Sequence, residues 1–170
     1  MIRPVVDAKA KGLKIHWGRQ VRMNQRMSVL LRQVGISGPF VDSATLKTFP
    51  RPVLLEVGEF VLLKSQFEAN KHVNPADLPD KTGFECFVNH VHHAFDGTDA
   101  SVRSCISYAI ALQNSLSQIA KGRSFLVIVS FGDHECITRF HQVRQDESWA
   151  AEDLEGYTEE AVLLLEVGAD

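Results

Sequence analysis

Residues 125–143 read FLVIVSFGDHECITRFHQV. The first seven, Phe125 to Phe131, form an almost unbroken apolar run of strand length, the pattern of a central strand covered on both faces. Gly132-Asp133-His134 is a turn sequence. From Glu135 to Val143 the chain alternates, with Cys136, Thr138 and Phe140 on one side and Ile137, Arg139 and His141 on the other. Two runs joined so tightly predict an antiparallel hairpin. Ala161 to Val167, AVLLLEV, predicts a third strand.

Upstream the period changes. Phe84, Phe87, Val88, Val91 and Phe95 follow helical spacing and predict one helix ended by Asp96-Gly97. Val102, Cys105, Ile106, Ala109, Ile110, Leu116, Ile119 and Ala120 predict a longer one, with Asp99 or Ser101 as its N-cap and Lys121-Gly122 as its stop. Val53 to Leu63, VLLEVGEFVLL, reads as a strand pair or a bent strand around Gly58, and 70–83 as a connection. Residues 19–34 carry a helical pattern closed by Gly35, and the first 20 residues show no sustained period. The expected fold is α+β, an antiparallel sheet of C-terminal strands with helices packed on one face. The expected division is a single domain over 51–170 preceded by a basic arm over 1–50.

The composition is that of an ordinary globular chain: 170 residues, 45% hydrophobic, 23% charged, net charge -3. That excludes a disordered or collagen-like chain. No apolar run approaches the roughly 20 residues that cross a bilayer. The N-terminus lacks the apolar stretch of a secretory signal. Cys86, Cys105 and Cys136 are odd in number and set in apolar patterns, so buried free thiols in a reducing compartment, the cytoplasm, are expected. The charge, however, is unevenly placed. Residues 1–50 hold nine Lys or Arg against two acids, whereas Asp146 to Asp170 hold nine acids and no Lys or Arg.

The densest polar cluster is Asn89-His90-Val91-His92-His93. On a helix His90 and His93 would be an i, i+3 pair, the spacing at which imidazoles converge on a metal or a proton. The zinc helix signature with Glu between two His is absent, and a structural or partner-facing histidine explains the cluster more simply. No nucleophile elbow, phosphate-binding loop or dinucleotide fingerprint occurs. No cofactor, metal, nucleic acid or membrane partner is expected. A small nuclease or metal-dependent hydrolase built on His90 and His93 is the rival reading. The third feature is the acidic stretch itself, where Trp149 stands among Asp146, Glu147, Glu152, Asp153 and Glu155, with Tyr157 following. Crowded carboxylates repel unless solvated or met by cations, and an aromatic among them offers an anchor for a partner. The plainer alternative is a loop kept soluble by its acids, with the indole packed on the sheet edge.

From Phe84 onward the chain resembles the immunity proteins of bacterial contact-dependent growth inhibition and related polymorphic toxin systems. The resemblance lies in the Asn-His-rich segment ECFVNHVHHAF, the long helix SVRSCISYAIALQNSLSQIA, the strand FLVIVSF and a closing pattern. That pattern comprises Phe140, His141, Arg144, Glu147, Trp149, Asp153, Leu154, Glu155, Tyr157, Glu160 and Ala161. It implies a non-enzymatic inhibitor, in the cytoplasm of the producing cell, that binds the C-terminal domain of a cognate toxin, commonly a nuclease. The expected contacts are Asp146, Glu147, Trp149, Glu152, Asp153 and Glu155. His141 and Arg144 are expected to brace the stretch, through a salt link to Glu147 or Asp153.

Overall fold

The computed structural model describes residues 2–4, 21–36 and 49–168. Most of the basic arm lies outside the described residues. In chain order the elements are β1 (Ile2–Pro4), β2 (Val21–Met23), α1 (Gln25–Gln33), β3 (Leu54–Val57), β4 (Phe60–Leu63) and α2 (Lys64–Ala69). A 3-10 turn at Pro75–Asp77 leads to α3 (Lys81–Val88), β5 (Val91–Ala94), α4 (Asp99–Ile119), β6 (Phe125–Phe131) and β7 (Glu135–Gln142). A second 3-10 turn, Leu154–Gly156, precedes β8 (Ala161–Val167).

The fold is α+β. Five strands in the order β2-β8-β6-β7-β5, all antiparallel, form the main sheet. The hairpin read from 125–143 is its centre: β6 pairs along all seven residues with β7 on one side and β8 on the other. Its side chains meet the core on both faces, and so the sequence shows no alternation there. Strands β1, β3 and β4 make a smaller antiparallel sheet, with β3 and β4 joined at Gly58. Gly58 has φ of 63°, a left-handed conformation that glycine adopts without a Cβ penalty.

One face of the main sheet is covered by helices. Phe125, Val127 and Val129 of β6, Cys136 and Phe140 of β7 and Leu163 and Leu165 of β8 pack there against Cys105, Ile106, Ala109, Ile110 and Leu116 of α4. Phe125 and Phe140 are fully buried, each contributing roughly 1.5–3 kcal/mol. Met27 and Leu31 of α1 belong to the same core, and β2 pairs with β8. The described residues Val21 to Leu31 therefore pack with the same core, upstream of the division expected at 51. The helical pattern over 19–34 is likewise divided: Val21–Met23 is strand, and Asn24 then caps α1 by accepting from Met27 N at 3.0 Å.

The opposite face carries Leu126, Ile128, Val162 and Leu164. It is covered by the chain between β7 and β8, which sets Leu154, Ala150 and Tyr157 on it. Cys86, Cys105 and Cys136 are buried free thiols.

The helix expected over 84–95 ends at Val88. Asn89 is fully buried, and its side chain joins the two sheets: Oδ1 accepts from Leu63 N at 2.8 Å, while Nδ2 donates to Val61 O at 2.9 Å and Phe140 O at 3.2 Å. Past it, Val91 to Ala94 pairs with β7 as an edge strand. The helical spacing of Val91 and Phe95 was coincidental; Val91 reaches the same core from a strand, and Phe95 stacks on Phe131 at 5.3 Å. The N-cap of α4 is Thr98, rather than Asp99 or Ser101: its hydroxyl accepts from Ser101 N and is held by Asp96 Oδ1. The stop is as expected, with Lys121 and Gly122 both at positive φ.

Candidate partner-binding surface

The chain between β7 and β8 is an acidic flap fastened at three places. The first is a buried ion pair. Arg144, just past β7, donates to Glu85 Oε2 of α3 at 2.7 Å, and the same carboxylate accepts from Gln142 N at 2.7 Å and Val61 N at 3.0 Å. Glu85 is completely buried, so a charge inside the protein is met by a cation and two backbone donors. The brace expected between Arg144 and Glu147 or Asp153 is thus made to Glu85 instead. His141 places Nδ1 2.9 Å from its neighbour's carbonyl, Gln142 O, and burial holds its pKa below the ordinary histidine value.

The second fastening is Glu147. Its Oε2 accepts from Thr82 N in the first turn of α3 at 2.9 Å, where a helix dipole favours negative charge. Desolvation works against its ionised form, but the hydrogen bonds at Thr82, with Arg144 and Lys81 nearby, hold its carboxyl below the usual range. The third lies at the start of α1. Glu155 Oε1 accepts from Gln25 N at 2.9 Å, and Asn24 Nδ2 donates to Tyr157 O and Glu160 O. Between these points Asp153 caps the 3-10 turn through Glu155 N, and Leu154 is buried against the sheet.

Of the expected contact residues, then, Glu147, Asp153 and Glu155 each accept a backbone hydrogen bond that shapes the flap. Asp146 and Glu152 are exposed with no structural duty for their carboxylates, as are Glu159 and Glu160. None of the seven carboxylates from Asp146 to Glu160 lies within ion-pairing distance of a cation among the described residues. Among the described residues Arg144 and Lys81 favour the charge of Glu147 from beyond ion-pairing distance, and solvent and salt screen the repulsion among the exposed carboxylates. Trp149 is 44% exposed, with Arg139 5.5 Å from the centre of its ring. Next to the flap a groove of about 620 Å³ runs past α1 to the β6–β7 turn, with Leu30, Phe95 and Phe131 in its wall and Asp133, Glu155 and Glu159 at its rim.

The histidines are not the pair that a helix would make. His90 lies just before β5 and His93 within it, and their rings go to opposite sides of the strand. His93 lies on the α4 side, its ring 4.7 Å from Tyr108 and its Nε2 3.1 Å from Thr138 Oγ1. His90 stacks on His92 at 4.3 Å on the other side, and His92 meets Glu135 at 2.8 Å. Burial, reinforced by Arg139 and His92, lowers His90 to about 4, and burial also lowers His93. His90 and His93 cannot share a metal or a substrate proton in this arrangement. No group of three or more His, Cys, Asp or Glu is placed to hold a metal ion among the described residues.

Glu85, Asn89 and Asn24 were missed from the sequence. Glu85 and Asn89 lie off the apolar stripe of Phe84, Phe87, Val88, Val91 and Phe95, so helical spacing gave no sign that they are buried. Asn24 ahead of an amphipathic run is an N-cap signal.

Together these features define an α+β domain with an acidic flap fastened at three places and carrying an exposed tryptophan. The chain belongs to the Uncharacterized protein PM0498 family, whose family model matches residues 22–169. A comparison with curated proteins and one with solved structures each returned no match. Among the described residues no helix is long and apolar enough to cross a membrane.

Proposed function

We propose that this protein is an immunity protein that binds the C-terminal domain of a cognate toxin, a nuclease, in the cytoplasm of the producing cell and neutralises it without catalysis. The observation that carries the reading is the absence of any ion pair for the seven carboxylates of the flap among the described residues. A nuclease holds phosphates in a cationic cleft, and an array of fixed, unneutralised carboxylates is the complement of such a cleft. Fixation matters as much as charge: three fastenings hold the array in place before binding, which lowers the ordering cost of association. Trp149, exposed among the acids, supplies the large apolar contact on which interfaces concentrate their energy.

The test is association kinetics with a candidate toxin domain, where one is encoded beside the gene. Glu152 and Glu159 are exposed and cap nothing through their side chains, so E152K/E159K alters the field and leaves the fold alone. At low salt the double variant is expected to associate about tenfold more slowly, and the difference should shrink as salt rises. Equal rates at low salt would remove the flap from the mechanism.

A further inference from the structure

The half of the main sheet that the flap leaves partly open carries a cation without a partner. Strands β6 and β7 present Ser130 and Arg139 there, and with Trp149, Tyr157, Glu160 and the floor residue Ile128 they line a cleft of about 140 Å³. Arg51, Arg103, Arg123, Arg139 and Arg144 are all partly buried. Four of these arginines have hydrogen-bonded partners: Arg51 donates to Gln118, Arg103 to Val34 O, Arg123 to Glu56 and Arg144 to Glu85, although Arg103 Nη1 and Arg144 Nη2 stay unpaired among the described residues. Arg139 differs. Among the described residues its guanidinium makes no hydrogen bond and no ion pair, only the stacking contact with Trp149, and the Ser130 hydroxyl beside it is also without a partner. A guanidinium presents N–H donors in a planar fork matched to a carboxylate, and the indole shields one side of it from water, which strengthens a charged contact made there.

We propose that this cleft is a carboxylate site that receives an acidic side chain of a protein docked on this face. Size selects the occupant. The cleft has room for about five waters and falls short of the roughly 300–1,000 Å³ of sites for small organic ligands. It therefore takes a side-chain-sized group. A cationic well beside an acidic flap also makes binding directional, since a partner of uniform positive charge leaves Arg139 unmatched and one with a single acid in register satisfies it. Glu160, on the rim of the same cleft, is the built-in competitor. The proposal stands on Arg139 alone and holds for any docking protein, whether or not that protein is a toxin.

The test is a titration of the full chain followed by ¹H–¹⁵N spectra of the Arg139 Nε–H and the Trp149 indole N–H. Sodium acetate at constant ionic strength is the first probe, with chloride as its control. The second is the capped tripeptide Gly-Glu-Gly, with Gly-Gln-Gly as its control. Acetate and the Glu peptide are expected to move both signals saturably, chloride and the Gln peptide to leave them in place, and E160Q to tighten binding several-fold. R139Q should abolish the response; should R139Q not fold, R139K keeps the charge and the stacking and is expected to weaken binding about tenfold, because an ammonium lacks the fork. Signals that ignore acetate, that follow chloride equally, that respond equally in R139K, or that prefer phosphate to acetate would overturn the proposal.

Discussion

Replacing Glu85 with Gln keeps the shape of the side chain and removes its charge. In the native protein this fully buried carboxylate accepts from Arg144 at 2.7 Å, Gln142 N at 2.7 Å and Val61 N at 3.0 Å. In E85Q one amide oxygen replaces two acceptors, and the amide NH₂ faces at least one donor. Arg144, whose side chain is only 12% exposed, keeps its charge without its hydrogen-bonded counter-ion. Removing one partner of a buried pair costs about 3–5 kcal/mol, a large share of the roughly 5–15 kcal/mol that holds a domain folded. At a urea slope of about 2 kcal/mol/M the midpoint should fall by about 1.5–2.5 M. Urea unfolding followed by circular dichroism measures it. E85Q/R144M removes the orphaned charge and should unfold at higher urea than E85Q, still below the native protein because a backbone N–H stays unsatisfied. A midpoint shift under about 0.3 M for E85Q, or a double variant no more stable than E85Q, would show that the pair does not brace the flap.

Two further outcomes follow from the polar contacts. Asn24→Ala deletes the acceptor for Met27 N and Val162 N and the donor to Tyr157 O and Glu160 O. A loss of about 2–3 kcal/mol is expected in the same urea assay, with faster amide exchange over both α1 and 157–160, while Asn24→Asp should retain the cap and lose the flap contacts. His90, His93 and His141 all have pKa values lowered by burial, His90 to about 4. The unfolded chain therefore takes up protons first as pH falls below the ordinary histidine value of 6.5. Stability should be constant above neutrality and decline through the window from 6.5 towards 4, a melting-temperature profile that His90→Gln should partly flatten and that a level native profile would contradict.

The three central strands of the main sheet were legible because each obeys one rule at a time. Phe125 to Phe131 is apolar throughout because both its faces are buried, and Cys136, Thr138 and Phe140 alternate because only one side of β7 meets α4. Phe84 to Phe95 was misread because two elements in succession mimic one helical stripe, and the residue that divides them, Asn89, acts through contacts 26 to 51 residues away. Spacing carries no information about such partners. The same limit hid Glu85 as the mate of Arg144. The acidic stretch was legible as composition but not as geometry: charge counting ranked Glu147, Asp153 and Glu155 with Asp146 and Glu152, whereas hydrogen bonds separate those that build the flap from those left to face a partner.

Inhibition itself bears most directly on the proposed function. A nuclease toxin domain, where one is encoded beside this gene, purified and assayed on nucleic acid, should lose its activity on titration with this protein, with a sharp end point at a fixed molar ratio, and E152K/E159K should weaken that inhibition at low salt. Full toxin activity in the presence of excess native protein would contradict the account.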